Sequence, residues 1–296
     1  MTMISKLPTA EHNAEFRQSR ISLLAQGRSA RHATRRGSEG RVESLQFTAY
    51  KEVRLSRMDQ SRRFVVPGQN RLLSAMSRDV QIRLLPRMEK INLPIRQVLH
   101  EPDVPIAYVY FPLSGVVSLV ITLKGGETVE VATVGNEGMV GTPVFLGADR
   151  SATKAVSQVA GQALKMRVDA FRRTLEEHPE FADALRRYTQ GMVSQISQST
   201  ACNHVHGVRE RMCRWLLMTH DRVGADEFHL TQEFLAQMLG VRRPSVTVAA
   251  GDLARSGLIS YRRGRIRIAD RAGLEAASCE CYETVRQEFD RLLSVT

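Results

Sequence analysis

LTQEFLAQMLGVRRPSVTVAAGDLARSGLISYRRGRIRI, residues 230–268, decides the fold. Thr231 can cap a helix, because its hydroxyl accepts an otherwise unpartnered backbone N–H. Leu235, Met238 and Leu239 then recur at i, i+3 and i+4 as one apolar face. Gly240 follows where a helix end needs a left-handed residue. Pro244 suits the first turn of a second helix, where an N–H would have no partner. Val246, Ala249, Ala250 and Leu253 form the buried face of that helix, and Gly257 ends it. Two short helices across a three-residue turn make a helix-turn-helix, whose second helix enters a major groove. Ile259 and Tyr261, then Ile266 and Ile268, alternate around Arg263-Gly264, which predicts a small hairpin. Arg262, Arg263, Arg265 and Arg267 crowd it. An αα-hairpin beside a solvated basic hairpin would leave that concentration of arginine unexplained.

Charge agrees with this reading. The chain has 296 residues and a net charge of +11. Residues 207–270 hold 11 Lys and Arg against 7 Asp and Glu, residues 1–63 hold 13 against 6, and the remainder is neutral. A basic excess around a helix-turn-helix is the electrostatic footprint of phosphate contact.

The stretch resembles the DNA-binding domain of the Crp/Fnr family of bacterial transcription regulators. Thr231, Leu235, Ala236, Leu239-Gly240-Val241, Arg243, Ser245-Val246-Thr247, Leu253, Gly257-Leu258-Ile259 and Arg263-Gly264-Arg265-Ile266 carry the likeness, which extends over roughly residues 70–285. The resemblance implies an α+β chain: an N-terminal β-roll like that of cyclic-nucleotide binders, a long dimerisation helix and a C-terminal winged helix-turn-helix. It implies double-stranded DNA, a second copy of the chain and RNA polymerase as partners. DNA-contacting residues are then Thr231, Gln232, Arg242, Arg243, Ser245 and Thr247 on the two helices, with Arg262, Arg263 and Arg265 on the wing. Arg243 matches the arginine that reads guanine in the family. Pro244 stands where a glutamate is frequent, and Val248 where a second arginine is, so the operator should differ from the best-known family consensus.

The rest of the chain divides accordingly. Residues 1–69, as in RSARHATRRGSEGR, have little apolar periodicity and read as a basic, disordered extension. It serves either as an arm adding non-specific DNA affinity or, if translation begins at Met58, as a gene-model artefact. Residues 70–175 are assigned to the roll, entered through a helical lead-in over residues 71–93 with Leu72, Leu73, Met76, Val80, Leu84, Leu85 and Met88. Short strands are expected at Tyr108–Phe111, Val116–Leu123, Thr128–Val134, Ala155–Val159 and Ala163–Met166, separated by turns at 112–115, 125–126 and 135–138. Residues 176–206 are the long helix. Phe181, Leu185, Tyr188, Met192 and Ile196 form its seam, either for a partner helix or for the chain's own roll. Residues 207–296 are the DNA-binding domain and its C-terminal helix.

Cyclic-nucleotide binders of this fold open a short helix with Gly-Glu and follow it with Arg-Ser. The glutamate holds a ribose hydroxyl and the arginine the phosphate. In EGMVGTPVFLGADRSAT, Gly138, Gly141, Arg150 and Ser151 match, and Met139 is set at the glutamate position. Effector-binding residues are thus Gly138, Met139, Gly141, Arg150 and Ser151, with cyclic AMP disfavoured and no cofactor expected. Metal binding is not expected either. Cys202 and His206 share a helical face, but His204 points away, and Cys279-x-Cys281 is too close for a paired zinc knuckle. With no cysteine before Cys202, the N-terminal iron–sulfur cluster of family sensors has no ligands.

The four cysteines lack a disulfide-framework spacing, no apolar run is long enough to span a bilayer and the N-terminus has no apolar signal region, which points to a cytoplasmic protein. No Ser/His/Asp, paired-carboxylate or phosphate-loop signature suggests an enzyme. Two rivals remain: a small-molecule sensor acting through protein contacts, and a metalloenzyme using the Cys/His residues. Salt-dependent binding to duplex DNA separates the first from a regulator, and stoichiometric metal after purification would favour the second.

Overall fold

In the computed structural model, residues 69–294 are described; the basic extension and the alternative start at Met58 lie outside them. The lead-in is two short helices, α1 (Arg71–Ser74) and α2 (Arg78–Leu84), with a 3-10 turn at Leu85–Arg87. Asn70 caps α1 through the Leu73 N–H and donates to the carbonyls of Pro112 and Gly138, which ties the entry to the sheet.

The roll is built from β1 (Glu89–Leu93), β2 (Val98–His100), β3 (Tyr108–Thr122), β4 (Thr128–Val134) and β5 (Lys154–Arg167), in the order β1-β5-β3-β4 with β2 also on β5. Helix α3 (Thr142–Phe145) lies between β4 and β5. Two expectations need correction. Residues 89–93 form a strand and not the end of a helical lead-in. The turn expected at 112–115 is a series of register shifts inside one long strand, since β3 and β5 stay paired from Tyr108↔Arg167 to Val120↔Lys154. Glycine permits it: a Cβ on Gly161 would lie 2.1 Å from the Ser114 carbonyl oxygen, and Gly115 sits at φ +80. Irregularities of this kind bend a strand without ending it.

Helix α4 (Val168–Glu177) leads into α5 (Pro179–Val205). Phe181, Leu185, Tyr188 and Met192 of the expected seam are buried in the core of the chain's own roll with Phe111 and Phe171. Only Ile196 escapes, at 39% exposure, beside Val193 at 52%. Four of the five seam residues therefore serve the roll, and Ile196 joins Val193 on a part of α5 left uncovered.

The C-terminal part comprises α6 (Val208–Val223), β6 (Glu227–His229), α7 (Gln232–Leu239), α8 (Arg243–Arg255), β7 (Ile259–Arg262), β8 (Arg265–Ile268), α9 (Arg271–Ala276) and α10 (Cys281–Leu293). Its core joins Met212 and Leu216 to Leu235, Leu239, Val246, Leu253, Ile266 and Ile268, and takes in Val116, Val120 and Val159 from the roll. Helix α10 bridges the two cores. Tyr282 packs with the DNA-binding module, while Val285, Phe289 and Leu293 pack with the roll and α5. The close approach of Phe289 needs Gly191, where a Cβ would lie 2.6 Å from the ring.

Two polar links cross from the roll to α6. Arg222 is buried with Glu137 in a two-pronged pair of 3.0 and 2.7 Å, and also donates to Thr133 Oγ1 at 2.6 Å and Gln195 Oε1 at 3.2 Å. Burial works against this charge, and Glu137 outweighs it, raising the Arg222 pKa above the usual guanidinium value. Trp215 Nε1 donates to Glu130 at 3.1 Å, and Ser118 Oγ lies 2.6 Å from the other oxygen of Glu130. Burial pushes Glu130 up to about 7 against hydrogen bonds that favour its ionised form.

Between pH 4.5 and about 7 the folded chain therefore holds a proton at Glu130 that the unfolded chain has released. Stability from this group is complete below the unfolded value and is lost as pH rises through the folded one. Glu130→Gln should remove that slope, which amounts to roughly 3 kcal/mol across the window. Melting temperature against pH checks it, and an equally steep profile in the variant would reject this origin.

Candidate nucleic-acid interface

Thr231 caps α7 with its hydroxyl, which accepts the Phe234 N–H at 3.2 Å. That use ties the side chain to the helix start and leaves Gln232 as the polar group facing α8. Gly240 ends α7 at φ 62, and Arg242 in extended conformation opens α8, with Pro244 in its first turn. Val246, Ala249, Ala250 and Leu253 are buried, as their spacing predicts. The opposite face presents Arg242, Arg243, Ser245, Thr247 and Val248 to solvent.

Two contacts organise this face. Thr247 Oγ1 donates to Gln232 Oε1 at 2.8 Å, bracing the recognition helix against α7. Arg243 lies 4.0 Å from Glu233, with both side chains largely exposed. Such a pair is weak and readily exchanged for another acceptor. An arginine in this position can place two parallel donors on guanine O6 and N7.

The wing is the β7–β8 hairpin. Ile259 faces Ile268 and Arg262 faces Arg265, so two residues, Arg263 and Gly264, make the turn. Both have positive φ, 50 and 75, as a hairpin turn matching the twist of its strands requires. Glycine adopts that conformation freely, but arginine does so at a cost, which holds a charge at the tip. Arg262, Arg263, Arg265 and Arg267 are all exposed or partly so. Arg265 also reaches Glu227 on β6 at 3.0 Å. The hairpin's inner side is anchored by Ile266 and by Tyr261, whose hydroxyl donates to the Leu230 carbonyl at 2.8 Å.

The sequence matches the Crp-like helix-turn-helix domain over residues 210–277 and the cyclic nucleotide-binding domain over residues 90–178. The chain belongs to the Crp/Fnr family. Like its relatives it is a DNA-binding transcription regulator. It is 25% identical over 212 residues to the global nitrogen regulator of Synechocystis, covering 68% of this chain and 92% of that one. It is 23% identical to a CRP-like cAMP-activated global transcriptional regulator of Mycobacterium tuberculosis, covering 63% of this chain and 87% of the relative. Among solved structures, FixK2 from Bradyrhizobium japonicum shares the fold at a TM-score of 0.56 and 16% identity, over 65% of this chain and 98% of FixK2. The c-di-GMP responsive regulator CLP of Xanthomonas campestris does so at 0.54 and 15%, over 66% and 100%. No described helix is long and apolar enough to cross a membrane.

The expected effector residues are dispersed. Helix α3 opens at Thr142 with Gly141 as its cap, so Thr142, not Met139, stands where the Gly-Glu carboxylate would be. Met139 is fully buried in the roll core, and its carbonyl accepts the Tyr188 hydroxyl at 3.0 Å. Gly138 is pressed against the same tyrosine, whose ring would lie 1.8 Å from a Cβ at that position. Gly141, at φ 103, packs on Val109. Arg150 is exposed and donates to the Asp103 carbonyl at 3.1 Å, with Asp149 3.6 Å away. Ser151 is hydrogen-bonded to Thr153 at 2.9 Å. Sequence spacing matches the glycines but does not show which of them starts the helix. Nor does it reveal Gln232 as the brace of Thr247, or the coming together of Cys202 and His206 with Cys279 and Cys281.

Arg243→Ala should cost about 1–3 kcal/mol on the preferred duplex and relax one base position. Neutralising Arg262, Arg263 and Arg265 together should leave the preference intact while lowering the slope of log affinity against log salt by roughly 0.9 for each phosphate no longer neutralised. Binding titrations across sequences and salt concentrations check both. An Arg243→Ala effect equal on every sequence, or an unchanged salt slope for the wing variant, would reassign these arginines.

Proposed function

We propose that the chain acts as a homodimer on a two-fold symmetric operator. The start of α8 from each copy reads one half-site, the two wings hold the backbone, and RNA polymerase is the partner it regulates. The observation carrying this is the solvent-facing set Arg242, Arg243, Ser245 and Thr247 beside a wing of exposed arginines. Val193 and Ile196 on α5 support the dimer, because they form an exposed apolar pair on the longest helix of the described chain. The division into a roll (70–175), a dimerisation helix (176–206) and a DNA-binding domain (207–296) belongs to the same reading. Selection from a random duplex pool should return inverted repeats with half-sites about one helical turn, or a multiple of it, apart. Enrichment of single, unpaired half-sites would exclude the symmetric dimer. Absence of any duplex preference would favour a sensor that acts through protein contacts.

The roll is the effector domain in this reading, and its ligand is not cyclic AMP. The names of the relatives already associate similar chains with cAMP and with c-di-GMP. Here the helix-opening residue is Thr142, Met139 is core, and Arg150 is turned to the Asp103 carbonyl. Thr142 offers a neutral hydroxyl in place of the carboxylate, so a ribose hydroxyl would exchange a charge-assisted hydrogen bond for one weaker by about 1–1.5 kcal/mol. That is about five- to tenfold in affinity. Calorimetry with cyclic AMP and cyclic GMP should therefore show no micromolar binding. A micromolar dissociation constant for either would overturn this choice of ligand and leave the DNA assignment untouched.

A further inference from the structure

Three of the four cysteines form a small core of their own. Cys202, Cys279 and Cys281 are buried against one another, apart from the two large apolar cores. Cys202 and His206 lie one turn apart near the end of α5, and Cys279-x-Cys281 forms the approach to α10. The chain folds these two pairs onto one point: the three Sγ atoms and a ring nitrogen of His206 all lie within 4.8 Å of one another. Cys202 Sγ is 3.6 Å from Cys279 Sγ, and Cys281 Sγ is 3.6 Å from His206 Nδ1.

Those distances decide between chemistries. A disulfide needs sulfurs about 2.05 Å apart, and all four cysteines are free. A tetrahedral zinc ion, with Zn–S about 2.3 Å and Zn–N about 2.0–2.1 Å, places two sulfurs about 3.8 Å apart and a sulfur and nitrogen about 3.5 Å apart. An iron–sulfur cluster would spread its protein ligands over more than one iron, wider than this group is. We propose that Cys202, His206, Cys279 and Cys281 form a closed Cys3His zinc site.

The surroundings suit that ion. His206 turns Nε2 to Glu280 Oε2 at 3.3 Å, while Nδ1 faces the sulfurs, the carboxylate–histidine arrangement that orients a metal-bound imidazole. Glu280 comes from the single residue between Cys279 and Cys281. Gln198 Nε2 donates to Cys281 Sγ at 3.1 Å, a contact that supports a thiolate. Three thiolates and one zinc leave one net negative charge. Arg211 and Arg214 are electrostatically coupled to Cys202, and the Nε of each is buried without a hydrogen-bond acceptor in the described chain. Four protein ligands leave no open position, so the role is structural. Because α6 starts at Val208, two residues after His206, the ion would fasten the end of the long helix, and hence the root of the DNA-binding module, to α10.

Metal analysis of the full chain, purified under reducing conditions without chelator, should find about one zinc per chain. Cys279→Ser and His206→Ala should each lose it, while Cys213→Ser, whose thiol lies in the separate DNA-module core, should keep it. Cobalt titrated into the chelator-stripped, reduced wild-type chain should give tetrahedral ligand-field bands with thiolate-to-metal charge transfer, a readout that does not depend on any variant folding. Failure of the wild-type chain to take up zinc or cobalt would overturn the proposal. So would bound zinc that persists in both Cys279→Ser and His206→Ala.

Discussion

Arg222 and Glu137 join α6 to the roll through a buried, two-pronged ion pair. Each is buried, and each needs the other, because an unpaired charge there would face a desolvation cost of several kcal/mol. Glu137 follows β4 in the roll, Gln195 lies on α5 and Arg222 closes α6, so a single guanidinium fixes three elements. The remaining acceptors are equally specific. Glu137 also takes the Gly135 N–H, and Gln195 donates to the Thr133 carbonyl at 3.0 Å, so the same network sets the backbone after β4. Apolar contact alone would allow α6 to slide over Val116, Val120 and Val159. Polar groups that must all be satisfied at once allow one register.

This arrangement leaves the outward face of α8 free. Helix α7 spends its apolar side on the module core and its end near Val129 of β4, while α8 keeps its polar side outward. The roll therefore positions the reading head without covering it. The Glu130–Trp215 contact sits on the same seam, which makes the grip between roll and module sensitive to proton concentration near neutrality.

What is legible in the sequence follows from how far its signals reach. The helix-turn-helix and wing are readable because caps, glycine ends and apolar spacing act within a few residues, and all of them agree from Thr231 to Ile268. The long strands are not, because Gly115 looks like a turn residue, and only its partner Gly161, 46 positions away, reveals that the two strands cross closely. The seam of α5 is visible, but periodicity does not say what lies opposite it. Glu137 and Arg222 are 85 residues apart and carry no local pattern at all. The Cys/His residues look like two separate short motifs, each too small for a metal, whereas the fold adds them together. The effector residues mislead for a subtler reason: two glycines three positions apart can each pose as the opening of α3, and only backbone geometry selects Gly141.

The Arg222–Glu137 pair also imposes an order of events on the chain as it is made. Every strand of the roll has been synthesised once Arg167 is added, yet the partner of Glu137 is still 55 positions from being added. Until then the completed sheet carries a carboxylate in a site shaped for an ion pair. A nascent roll must keep that corner open to water, and it reaches its final packing only when α6 arrives. Domains usually mature one after another during synthesis. Here the first module is finished by the second.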